Sequence, residues 1–183
     1  MHGDEPHASR RLRGARPLLV VLCLTLLAGP ALAQRGDGEP RTCRVTRIID
    51  GDTFECAQRG MRFSVRLLGM DTPELAQRPF GAQARRALAR HLPVRQSVIL
   101  DMDVRETDRY GRVLAYVWND SALMVNEELL REGVALVDIQ PPNVKYAEVL
   151  RAAAREAREG SAGFWATPGF DCPPAEFRRK RCR

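Results

Sequence analysis

Five short runs rich in β-branched residues at period two, one helical stretch after the third and two more after the fifth, predict an α+β chain: a five-stranded β-barrel of OB type with three helices. An all-helical fold does not accommodate the Val/Ile/Thr alternation. A doubly wound α/β sheet is excluded because the first three strands are linked as hairpins. The expected order is a leader at 1–33, a loose segment at 34–42, one domain at 43–166 and a basic tail at 167–183.

The leader is read from Arg10, Arg11, Arg13 and Arg16, then the apolar run at 18–27, then Ala31-Leu32-Ala33 as a small-x-small cleavage signal. About ten apolar residues are too few to span a bilayer. A signal peptide and export to the periplasm or exterior are therefore expected, with no stable membrane association afterwards. Of the 29 Lys+Arg and 23 Asp+Glu, the leader holds four and two, so the net charge of +6 becomes +4. Such mild basicity permits a polyanionic partner without requiring one. The remaining 150 of the 183 residues suffice for a single core, and a monomer is expected.

Four cysteines follow the leader: Cys43, Cys56, Cys172 and Cys182. An even count in an exported chain implies disulfides, in three possible connectivities. Without a C-x-x-C pair or a neighbouring histidine, zinc is a poor alternative.

Taken in order, 44–49 is a strand ending at Asp50-Gly51, a hairpin signal that makes Asp50 a turn residue. The second strand starts at Thr53. A Cys43–Cys56 bridge across this hairpin is reasonable if the register brings the two Cα atoms close, and Cys172 and Cys182 would then pair and tie down the tail. After a turn at 58–60 the third strand is expected to run from Met61 to Met70. Phe63, Val65, Leu67 and Gly69 share one face, and Arg66, Leu68 and Met70 share the other. This hairpin has a consequence: its open end brings Asp52 and Asp71 together.

A helix is expected over 81–92, with His91 as a cation at its C-terminal end and Pro93 as its stop. Strands at 97–104 and 112–118 follow. Asn119-Asp120-Ser121 is read as the cap of a helix over 122–131. After a short apolar run at 134–139, a third helix covers 144–159, and Trp165 closes it by packing. The run Arg178-Arg179-Lys180-Arg181 is read as a solvated face.

Three carboxylates (Asp52, Asp71, Glu74) and Arg66 thus fall within 23 positions, at turns and strand ends. Acidic groups at loop mouths with a guanidinium between them point to a hard cation beside a phosphate.

Four ordered motifs carry a resemblance. D-G-D-T-F at 50–54, R-L-L-G-M-D-T-P-E at 66–74, T-D-R-Y-G-R-V-L-A-Y-V at 107–117 and V-N-E-E-L-L-R-E-G at 125–133 resemble the staphylococcal (thermonuclease) nuclease family over residues 43–165. The resemblance implies a five-stranded OB barrel with three helices. It also implies calcium-dependent hydrolysis of DNA and RNA to 3′-phosphate and 5′-hydroxyl ends. Carried over by motif, Asp52 and Asp71 would hold Ca²⁺ through carboxylates and Thr72 through its carbonyl. Glu74 would orient or deprotonate the attacking water, and Arg66 and Arg112 would bind the scissile phosphate, flanked by Arg109 and Tyr110. One departure is visible: where the family prototype has two tyrosines lining the nucleotide pocket, this chain has Ile139 and Pro141.

These residue types suit the chemistry. A hard cation on carboxylate and carbonyl oxygens offsets charge at phosphorus and positions water. Arginine's planar fork matches phosphate oxygens and stays protonated. No histidine lies in any motif, which leaves Glu74 as the candidate base. The alternative class is a catalytically silent OB module that binds nucleic acid or protein; retention of all five groups argues for an enzyme.

Overall fold

The computed structural model describes residues 41–166 and 169–182; the expected leader and the segment 34–40 lie outside the described residues. The strands are β1 (Arg41–Ile48), β2 (Thr53–Gln58), β3 (Met61–Leu67), β4 (Met70–Asp71), β5 (Ser97–Asp101), β6 (Val113–Trp118) and β7 (Leu136–Val137). The helices are α1 (Phe80–His91), α2 (Val125–Arg131), α3 (Ala147–Glu159) and α4 (Pro174–Arg178), with a 3₁₀ turn at Gly163–Trp165. Five strands close a barrel in the order β1-β2-β3-β6-β5, parallel at β3–β6 and antiparallel elsewhere. Strands β4 and β7 form a separate two-stranded sheet. The expected barrel and its three long helices are present, and α4 in the tail is an addition.

Alternation packs the barrel: Val65 and Leu67 on β3 and Ala115 and Val117 on β6 are fully buried. Helix α1 buries Phe80, Ala84, Ala87 and Leu88, one stripe at helical spacing, and α3 buries Ala147, Leu150, Ala153 and Ala157. Both disulfides form, the first across the hairpin and the second between the two cysteines that remain. Cys43–Cys56 joins neighbouring strands at a Cα separation of 5.8 Å, and Cys172–Cys182 closes the tail at 5.6 Å.

Several boundaries differ from the sequence expectation, each for a local reason. Arg41 and Thr42 belong to β1, because they pair with Leu100 and Ile99 of β5 instead of trailing loosely. Strand β5 stops at Asp101, whose carboxylate receives Lys145 Nζ and Tyr146 Oη from the start of α3. Asn119 does not cap α2. Its carboxamide oxygen accepts from Ser121 and Leu123 N–H in a turn of its own, which delays the helix to Val125. Helix α3 likewise begins at Ala147, not 144.

The correction that matters most for the site concerns the third strand, which ends at Leu67 and not at Met70. Gly69 takes a positive φ of 76°. A side chain there would also meet Leu150 Cδ1 at 2.3 Å, so the corner needs glycine for both backbone and space. Beyond it Met70–Asp71 pairs with Leu136–Val137. Asn126, fully buried on α2, holds this corner: its Nδ2 donates to Leu68 O at 2.9 Å and to Ala115 O at 3.3 Å, and its Oδ1 accepts from Val117 N at 2.8 Å.

Candidate active site

The start of β2 and the end of the β3–β4 segment meet, as the hairpin predicts, but through a turn. Thr53 pairs with Arg66, and Leu67 N–H donates to Asp52 O at 2.9 Å. Asp52 Oδ2 accepts from Thr72 N at 3.0 Å and Thr72 Oγ1 at 2.8 Å. The loop before Asp52 sits close against this point: a side chain at Gly51 would lie 2.6 Å from both Thr72 Oγ1 and Ala84 Cβ. The D-G-D motif therefore needs its glycine for close approach.

Arg66 spans the two aspartates. Its Nη1 contacts Asp52 Oδ1, and its Nη2 donates to Asp71 Oδ1 at 2.9 Å and to Met70 O at 3.2 Å. Asp52 and Asp71 are 2% and 5% exposed, so both carboxylates require positive charge beside them. Asp50 is more than a turn residue. Its Oδ1 caps Asp52 N–H at 3.0 Å, it lines the same cavity as Asp52, and burial pushes its carboxyl up against the opposing pull of Arg66.

Arg112 arrives from the start of β6. Asp108 receives its Nε at 2.7 Å, and Thr53 Oγ1 lies 3.5 Å from its Nη1. The expected site residue is thus also held in an ion pair, and Asp108 is what orients it. Burial alone would raise the Asp108 carboxyl, but hydrogen bonds from Arg112 and from backbone N–H groups hold it below the ordinary value. Tyr110 is exposed, with the Arg109 and Arg112 guanidinium groups 4.9 and 5.5 Å from its ring centre. A cavity of about 380 Å³ is lined by Asp52, Arg66, Thr72, Glu74, Arg109, Tyr110 and Arg112. Of the expected site residues only Asp71 is absent from that lining, held behind Arg66.

A second groove of about 740 Å³ adjoins it, sharing Arg66, Arg109, Tyr110 and Arg112 and extending to Arg105, Asp138 and Gln140. Ile139 packs against the core and Pro141 is exposed; neither lines the groove. Tyr110 is the aromatic residue in its wall, and the side from 138 to 143 is acid and amide. Asn143 fixes that side by receiving Arg105 N–H and donating to Arg105 O, both at 2.8 Å.

Two other expectations need adjustment and one stands. His91 pairs with Glu132 at 2.6 Å and ties α1 to the end of α2, which is more specific than a helix-end cation. Trp165 packs as expected, within 5.1 Å of Phe164, and carries Arg158 over its ring at 4.5 Å. The basic tail is only partly a solvated face. Arg179 and Arg181 pair with Glu176 at the surface, but Arg178 reaches into the site. Its Nη2 donates to Asp71 Oδ2 at 2.6 Å, and its Nη1 to Asp71 Oδ1 at 3.1 Å and to Glu74 Oε1 at 2.8 Å. Those bonds, first to Asp71 and then to Glu74, raise the Arg178 pKa despite its partial burial. The pair of cysteines bracketing the run signals a closed loop there, but what seats that loop on the body, Gln77 Nε2 donating to Cys172 O at 2.8 Å, has no sequence signal.

Among the described residues no three His, Cys, Asp or Glu side chains cluster at metal-ligand spacing. The oxygen donors that would suit a hard cation are instead two carboxylates and the backbone at Thr72. No described helix is long and apolar enough to cross a membrane.

Comparisons with known proteins bear on the family. The family sequence model described as staphylococcal nuclease homologue matches residues 64–167. Thermonuclease of Staphylococcus hyicus is 34% identical over 161 residues, covering 81% of this chain and 94% of that protein. Thermonuclease of Staphylococcus intermedius is 37% identical over 142 residues, covering 75% and 83%. Endonuclease YncB of Bacillus subtilis is 35% identical over 133 residues, covering 68% and 61%. With the barrel, the ordered motifs and this identity over most of its length, the chain belongs to the staphylococcal nuclease family and is a nuclease.

Proposed function

We propose that this nuclease is calcium-dependent and hydrolyses phosphodiester bonds of DNA and RNA, leaving 3′-phosphate and 5′-hydroxyl ends. The observation that carries the proposal is the convergence of Asp52, Thr72, Glu74, Arg66 and Arg112 on one cavity of about 380 Å³, with Asp71 directly behind Arg66. The donor set fits calcium: Asp52 and Asp71 are buried carboxylates that already draw guanidinium charge, and hard oxygen ligands are what this ion takes. Asp52, Asp71 and the Thr72 carbonyl would hold it, and when bound it supplies Lewis-acid stabilisation of phosphoryl charge.

The chain's own groups account for the rest. Arg66 and Arg112 bind non-bridging phosphate oxygens and stabilise the charge that develops there, already oriented by Asp52 and Asp108 respectively. Glu74 takes a proton from the attacking water. The stated ends require the P–O5′ bond to break, with a proton reaching the departing O5′. Arg109 and Tyr110 bind the flanking nucleotide at the junction of cavity and groove. The two disulfides support export to an oxidising compartment, and the protein acts as a monomer. The test is cleavage of plasmid DNA and of RNA with Ca²⁺, then with chelator. Cutting that chelation abolishes supports the proposal; folded protein that leaves both substrates intact favours a silent binding module.

A further inference from the structure

Tail residue Arg178 makes its closest contacts with the carboxylates proposed above for cation binding and general base action. It reaches them on an anchored support. Helix α4 lies inside the loop closed by Cys172–Cys182, and Gln77 Nε2 donates to Cys172 O at 2.8 Å. Gln77 is buried, and its Oε1 accepts from Glu74 N–H at 2.9 Å, so one side chain joins the tail to the Glu74 loop. Phe170, just before the loop, stacks on Phe164 at 4.0 Å and lies 5.0 Å from Phe80. Docked this way, Arg178 covers both Asp71 oxygens and shares Oδ1 with Arg66.

Charge balance then decides what a divalent ion must do. Asp52, Asp71 and Glu74 supply three negative charges; Arg66 and Arg178 supply two positive ones. Adding a dication with Arg178 in place gives one excess positive charge around the two buried aspartates. With Arg178 released, the dication and Arg66 balance the three carboxylates. Asp71 Oδ2 is moreover engaged by Nη2 at 2.6 Å, which sets a positive charge where the ion would bind.

We propose that Arg178 is a tethered occupant of the cation site, a guanidinium that the ion must displace from Asp71 and Glu74, so that the disulfide-bonded tail sets the affinity for the metal. This rests on the calcium reading above and extends it to a residue outside the four motifs. Arg178 acts through Asp71 and Glu74 and is a positioning residue. Its release also frees Glu74 Oε1, which links metal occupancy to availability of the base.

The direct test is calorimetric titration of CaCl₂ alone into the oxidised protein, with no nucleic acid present. Arg178→Ala is expected to bind about tenfold more tightly, the size of a charge-assisted hydrogen bond discounted for partial exposure. Arg178→Lys should fall between, and Arg179→Ala, which removes only the surface pair with Glu176, should match the wild type. Without metal, Arg178→Ala should melt below the wild type; at saturating Ca²⁺ the two should converge. The Cys172→Ser/Cys182→Ser double variant should reproduce part of the tightening. Unchanged or weaker Ca²⁺ binding by Arg178→Ala, beside measurable binding by the wild type, overturns this inference and leaves the calcium reading standing. Absence of binding in both proteins overturns the calcium reading and this one with it. Binding by the variant alone supports both.

Discussion

Replacing Asn126 by alanine isolates what holds the site in shape. Asn126 sits in the V-N-E motif on α2, is fully buried, and touches neither the cavity nor the groove. Truncation orphans Val117 N–H and Leu68 O; Ala115 O keeps Leu68 N–H at 2.9 Å. Each orphaned buried group costs about 1–3 kcal/mol, so a loss of about 3–4 kcal/mol is expected. For a chain of this size that is a fall of about 8–14 °C in Tm. Urea unfolding monitored by tryptophan fluorescence measures it, with the m-value unchanged if the native state stays compact. Because Leu68 lies between Arg66 and Met70, turnover of folded variant should also drop. A loss below about 1 kcal/mol would mean water satisfies both groups, and Asn126 would not be the anchor of the corner.

Three further outcomes are expected. Arg112→Lys keeps the charge but loses the fork that Asp108 orients, and kcat/KM should fall about 10²–10³-fold in a steady-state nuclease assay. Glu132 is held below the ordinary glutamate value, first by the hydrogen bond from His91, so its stabilisation is present above the unfolded pKa and lost as pH falls through the folded one. Glu132→Gln should therefore be less stable near pH 7, and the two proteins should converge once the pH has fallen through the depressed Glu132 pKa. The Cys43→Ser/Cys56→Ser variant should lose about 2–4 kcal/mol in chemical denaturation, and reductant should then have little further effect through that bridge.

The residues that alternate or repeat were readable from the chain. Val65 and Leu67 announce a strand, and Ala84, Ala87 and Leu88 a helix, because burial imposes a period on composition. The meeting of Asp52 with the Asp71–Thr72 segment followed from hairpin connectivity alone. What escaped depends on contacts distant in sequence. The break at Gly69 is imposed by Leu150 of α3, and the short β4 exists only because β7 pairs with it. Asn126 looks like one more polar helix residue until the buried carbonyl it serves is known. Arg178 is indistinguishable from Arg179 in sequence. The geometry of a ten-residue disulfide loop separates them, turning one toward Asp71 and leaving the other at the surface.

In the proposed mechanism the groups gathered between Asp50 and Glu74, with Arg112, hydrolyse the phosphodiester, and Glu74 handles the proton of the attacking water. The most direct measurement is single-turnover cleavage of a labelled oligonucleotide by Glu74→Gln at saturating Ca²⁺, with folding verified by circular dichroism. The expected rate is about 10²–10⁴-fold below wild type, with substrate affinity retained through the arginines. A rate near wild type would contradict it.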